Sequence, residues 1–193
     1  EPASPVIKMR HTHHELNSIP IVDKAAYVLV DSHWAALDLI KERNEELLAA
    51  YLAWLLKASK AYALKLVDPG CDFAWLMGRA PPPIDLDDQL PYYGITPRDI
   101  VTSIGKAALR LGLPKHIHVH ANKLGFPGNV STLISTMRLS KDIISAAPSR
   151  GYAIHLTHIQ FNAYGGDSWA TLKSGGEDVA KEMLTNPYVT IDL

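Results

Sequence analysis

Apolar and polar positions in this chain switch between two periods, and the switches mark out its elements. From Asn44 onward, Leu47, Leu48, Tyr51, Leu52, Trp54 and Leu55 recur at helical spacing, with Asn44 placed to cap the first turn. A shorter helix is predicted just before it, capped by Ser32 and running to about Ile40. Tyr62-Ala63-Leu64-Lys65-Leu66-Val67 reads as an apolar strand broken by one lysine, and Asp68-Pro69-Gly70 ends it in a sharp turn. Thr96-Pro97 supplies an N-cap and a first helical residue for a helix to about Leu111. His116-Ile117-His118-Val119-His120 then alternates with period two, which places three histidines on one face of a strand. After the turn Gly125-Phe126-Pro127-Gly128-Asn129 come a helix to about Ala147, a strand over 152–159, a helix over 176–184 and a last strand over 189–193.

Four strands alternating with helices imply parallel pairing through right-handed crossovers. Part of a (β/α)8 barrel and an open doubly wound sheet both fit that order, but no GxGxxG or GxxxxGK[ST] stretch supports a nucleotide-binding sheet. The remaining stretches read as irregular. Residues 1–9 look like Pro-rich coil, Arg10 to Glu15 and Ile19 to Val22 like loops, and Cys71 to Tyr93 like a long loop stiffened by Pro81-Pro82-Pro83. Trp34 and Trp54 are expected in the core.

Composition narrows the classes. A net charge of −1 over 193 residues, without a long single-sign run, speaks against nucleic acid or a polybasic membrane patch. No apolar run reaches the roughly 20 residues of a membrane helix. The lone Cys71 excludes an intramolecular disulfide and fits a reducing, cytoplasmic setting. Opening on Glu1 and stopping at a strand, the chain is expected to be an internal segment of a longer protein.

The chemistry concentrates in polar residues at the C-terminal ends of three successive strands, where barrel enzymes build their sites: Lys65, His120 and His158. Lys65 is the oddest, because a buried ammonium costs several kcal/mol unless paired or neutralised. Carbamylation by CO2 would resolve this and give an anionic ligand able to bridge two metals; a lysine snorkelling out of the strand end is the plain alternative. His120 sits nearest the strand end, so it is the expected metal ligand, while His116 and His118 are expected to fill the interior. His155 and His158, three apart, cannot share a face of a regular strand, which favours His158 as ligand and leaves His155 to packing. His11, His13 and His14 read as loop residues lining a substrate pocket or the surface. Asn122 and Gln160 could hydrogen-bond a substrate at the same mouth. Ser131, Ser140 and Ser168 lack a nucleophile-elbow context, which disfavours a serine hydrolase.

The stretches His11-Thr12-His13-His14-Glu15, Ala61 through Gly70, Ile117 through Gly125, and His155 through Phe161 with Tyr164-Gly165-Gly166 resemble one family. It comprises the A subunits of formylmethanofuran dehydrogenase and of the formyltransferase/hydrolase complex. The resemblance implies a metal-dependent amidohydrolase with a TIM-type (β/α)8 barrel, of which residues 1–193 would form an incomplete domain, roughly strands 4 to 7. It implies two Zn2+ ions bridged by carbamylated Lys65, with His120 and His158 as further ligands. The family's His-x-His pair on strand one and aspartate on strand eight have no counterpart, and His11 and His13 are not that pair. The implied reaction interconverts N-formylmethanofuran and formate plus methanofuran, in a complex with other subunits. The segment alone is expected not to turn over. Ala121, Cys71 and Asn162 depart from the family pattern, where Cys, Gly and His are expected, and this leaves dehydrogenase against hydrolase open. The competing readings are a dihydropyrimidinase-like cyclic amidohydrolase and a metal-free structural subunit.

Overall fold

The computed structural model describes residues 3–78 and 84–193. Six strands form one sheet: β1 (Ala3–Pro5), β2 (Tyr27–Leu29), β3 (Ala63–Val67), β4 (Ile117–His120), β5 (Ile154–Leu156) and β8 (Val189–Ile191). All neighbouring pairs are parallel and the strand order follows the chain, β1-β2-β3-β4-β5-β8. A doubly wound sheet reverses its order at a switch point, and this one does not. Two short strands, β6 (Tyr164–Gly165) and β7 (Lys173–Ser174), pair as a separate antiparallel hairpin between β5 and β8.

The helices are α1 (Met9–Leu16), α2 (Trp34–Lys41), α3 (Glu45–Ser59), α4 (Cys71–Leu76), α5 (Pro97–Arg110), α6 (Val130–Ile144) and α7 (Gly176–Thr185). Two start where local chemistry dictates. The Asn44 side chain accepts the Leu47 amide, and Thr96 and Asp99 form a reciprocal capping box ahead of α5. On β3, β4 and β5 the alternation is sharp. Leu64, Leu66, Ile117, Val119, Ile154 and Leu156 face the helices at 2 % exposure or less and join one apolar core with Leu48, Leu52, Ile100, Ile104, Met137 and Ile143. The intervening residues point to the opposite face, and they include every histidine of those strands.

Several expectations are corrected. The sheet has six strands where the sequence pattern predicts four; β1 and β2 are three residues each, too short for a period of two to register. His11, His13 and His14 lie on helix α1, not in a loop, and the first turn of the Cys71–Tyr93 stretch is helix α4. Ser32 does not cap α2, whose N-cap is His33. Trp34 and Trp54 are 64 % and 61 % exposed, because the buried stripe of α3 runs through Leu48, Leu52 and Leu55 and leaves Trp54 beside it. Pro81-Pro82-Pro83 lies outside the described residues. Among the described residues, no helix is long and apolar enough to cross a membrane.

Candidate metal centre

The inner face of the sheet is built by register. Leu29 of β2 stands beside Lys65 of β3, Lys65 beside His118 of β4, His118 beside His155 of β5, and His155 beside Thr190 of β8. Register partners in a parallel sheet share a face, so these side chains form one row across five strands. Lys65 is 3 % exposed, with its ammonium 5.5 Å from the centre of the Tyr27 ring. The His118 ring lies 4.7 Å from Tyr27 and 4.9 Å from His155, centre to centre. A buried lysine in a row of imidazoles is an arrangement no packing preference favours.

A second row stands one step nearer the C-terminal ends. His120 pairs in register with Val67, and its ring meets His158 edge-on at 4.9 Å. His158 follows the end of β5 in the left-handed region, φ 55°. That backbone turn carries its ring toward His120, which a regular strand could not do with His155 three residues earlier. Lys65, His120 and His158 thus stand on one inner face, with Lys65 level with His118 and not with His120.

Asp192 ties the two rows together, and sequence reasoning passes over it. Its carboxylate accepts the His158 amide at 2.8 Å and the Thr157 hydroxyl at 2.8 and 2.9 Å, and lies 3.1 Å from His155 Nε2. His158 Nδ1 is 4.0 Å from its other oxygen. Burial alone would raise the Asp192 pKa; the His158 amide, the Thr157 hydroxyl and His155 outweigh it and hold the carboxyl at about 2. The signal was present: Thr190 and Asp192 share one strand face by the same alternation that groups the histidines.

Below these rows, His116 Nε2 and His155 Nδ1 lie 3.2 and 2.8 Å from the Thr190 hydroxyl. Burial, then the neighbouring His155 and Lys115, lower the His116 pKa. At the strand ends, burial pushes Asp31 up to about 7 and Asp68 up to about 6.

The other expected contacts fall elsewhere. Asn122 is buried and donates to the Pro69 carbonyl at 3.1 Å, bracing the end of β4 against the end of β3. Gln160 is exposed and lines an apolar groove of about 1000 Å³ between α7, the β6–β7 hairpin and the outer edge of β8. His13 Nε2 bonds the Ser59 carbonyl at the C-terminus of α3, which leads into the start of β3, so it sits at the opposite end of the sheet from the mouth. His11 is exposed beside Glu15. The structure does not bring His11, His13 or Gln160 to the histidine rows.

Imidazole nitrogens and carboxylate oxygens converging on one buried face are the donor set of a zinc-type ion. The residues present therefore fit the metal that the family resemblance implies. The chain is 41 % identical over 196 aligned residues to protein FwdA of Methanocaldococcus jannaschii, which covers all of this chain and 34 % of that protein. The whole chain is homologous to a segment of this A-subunit family. Its counterpart in the formyltransferase/hydrolase complex of Methylorubrum extorquens is 28 % identical, again over all of this chain and 34 % of the relative. The crystal structure of that organism's four-subunit complex, bound to methylofuran, superposes with a TM-score of 0.89 over the full chain at 28 % identity, covering 34 % of the matched chain. No protein-family model matches the chain. The A-subunit segment described here spans about a third of the length of the relatives it matches.

Proposed function

We propose that this chain is part of a metal-dependent amidohydrolase that interconverts an N-formylated methanofuran-type carrier and formate plus the free carrier amine. The observation that carries the reading is the buried row Lys65–His118–His155 with His120, His158 and Asp192 beside it, on the inner face of a consecutively ordered parallel sheet. The relatives are A subunits of complexes handling such a carrier, one of them crystallised with methylofuran. In this reading the sheet is an arc of a (β/α)8 barrel. Lys65 belongs to strand four, so β1 and β2 take places two and three and β8 takes place seven.

Lys65, as its carbamate, bridges two zinc ions, and His120 and His158 hold one ion each from the mouth. The metal pair lowers the pKa of a bound water and polarises the formyl carbonyl. The protein's own contribution is orientation. Asp192, fixed by Thr157 and the His158 amide, holds His155 and the His158 backbone in place. Asn122 and Asn162 lock the backbone just beyond His120: the Asn162 amide donates to the Ala121 and Asn122 carbonyls at 3.2 and 3.3 Å. The full-length protein assembles with other subunits that supply or use the formate.

Carbamylation of Lys65 makes the reading testable without any substrate. The full-length protein prepared in 13C-bicarbonate is expected to give a carbamate carbon signal and to carry zinc. Lys65→Ala is expected to lose the signal and most of the metal. A zinc-bearing protein with an unmodified Lys65 contradicts the bridging role, and a folded protein that binds no metal supports a structural subunit instead.

A further inference from the structure

We infer that His118, His155 and Asp192 form a zinc-type metal site of their own, deeper on the inner face than His120 and His158. These three donors come from adjacent parallel strands or their immediate ends, so the sheet's register fixes their spacing before any ion arrives. Among the described residues they are the one group of three His, Cys, Asp or Glu side chains whose ligand atoms all lie within 4.8 Å of one another. A tetrahedral zinc, with bonds of ~2.0–2.2 Å to nitrogen and oxygen, has donor-to-donor edges of about 3.4 Å. The His155 Nε2 to Asp192 Oδ2 distance of 3.1 Å is already near such an edge. His118, 4 % exposed, needs only side-chain adjustment to complete the triangle.

The surroundings orient the donors as metal sites do. His155 Nδ1 is held by the Thr190 hydroxyl at 2.8 Å, which turns Nε2 toward the carboxylate. When an ion replaces the Nε2 proton, the neutral ring keeps that proton on Nδ1, where Thr190 Oγ1 accepts it. The Thr190 hydroxyl then donates to His116 Nε2, 3.2 Å away. The balance is a tautomer shift along His155, Thr190 and His116, with no proton lost. Asp192 is equally prepared. The His158 amide and the Thr157 hydroxyl hold Oδ1, and Oδ2 faces His155. Three protein ligands leave a coordination position open, the pattern of catalytic rather than structural zinc. Lys65, next to His118 in register, flanks that position from β3.

This site goes beyond the ligand set of the amidohydrolase reading and stands without its carrier chemistry, since metal binding is read directly. The test is a zinc-edge anomalous map of the zinc-loaded full-length protein, with zinc titrations of His155→Gln, His118→Gln and Asp192→Asn. The expected result is an anomalous peak ~2.0–2.3 Å from donor atoms of all three residues. Each variant that folds, checked by circular dichroism, should lose zinc affinity by ~10-fold or more, as even orienting partners cost that much. A map whose zinc contacts only Lys65, His120 and His158, or contains no zinc, overturns the inference. So does wild-type affinity in all three variants. If a variant does not fold, the wild-type map alone decides. Absence of carrier chemistry alongside a peak at these residues would refute the functional reading and leave this site intact.

Discussion

Asp31 shows how strongly single residues at the strand ends are conditioned by burial. It lies just past β2, 2 % exposed, and burial above all raises its pKa from 3.8 to about 7, with Asp72 adding to the shift and the Val67 amide opposing it. The unfolded chain releases this proton near 3.8 and the folded one near 7, so the folded state holds more protons between these values. Stability from this group is therefore full below the unfolded pKa and falls as pH rises toward 7. At ~1.4 kcal/mol per unit the loss is roughly 4 kcal/mol. The urea midpoint of the full-length protein is expected to drop between about pH 5 and pH 8, and Asp31→Asn should flatten much of that drop. An unchanged pH dependence in the variant would refute the assignment. Asp68, raised to about 6 by burial, leaves a residual slope of the same sign. Asp192 works in the opposite sense: with its pKa held near 2, its contribution is present above the unfolded value and is lost as pH falls through 2. At this scale the site was half legible. Buried Lys65 is visible as an anomaly in an apolar run. His118 and His120 cannot be ranked from the sequence, because a period of two puts both on one face and only pairing with β3 and β5 sets their level.

Elements whose signals are local were readable, and those defined by partners were not. The α3 and α5 starts rest on Asn44 and Thr96, each acting within three residues. Strands β1 and β2 have no such signature and exist because β3 supplies their hydrogen bonds in turn. The loops after β4 and β5 are likewise set by a long-range staple. Asn129, fully buried, donates to the Lys123 and Phe161 carbonyls at 2.9 and 2.7 Å and accepts the Tyr164 amide at 2.9 Å. Removing it strands three backbone groups, each costing ~1–3 kcal/mol when unsatisfied. Asn129→Ala is therefore expected to destabilise the protein by roughly 3 kcal/mol or more, with faster amide exchange at Gly125 and Tyr164. A loss well under ~1 kcal/mol would show that the staple is dispensable.

At the scale of the molecule, the consecutive parallel order gathers chemistry from five strands onto one face, and the helices pack the other. That division explains why the largest cavity, the apolar groove outside β8, carries none of the clustered histidines. It also explains why the fold class follows from strand–helix alternation while the site's depth does not. Alternation is written along the chain, whereas depth is written in pairings between residues as distant as Lys65 and Asp192. The central claim is that this face belongs to a zinc-dependent deformylase. Formate release from N-formylmethanofuran by the full-length assembly, before and after removal of metal with a chelator, tests it most directly. Release that chelation abolishes, that zinc restores and that Lys65→Ala lacks is the predicted result; release indifferent to both chelator and Lys65→Ala would contradict it.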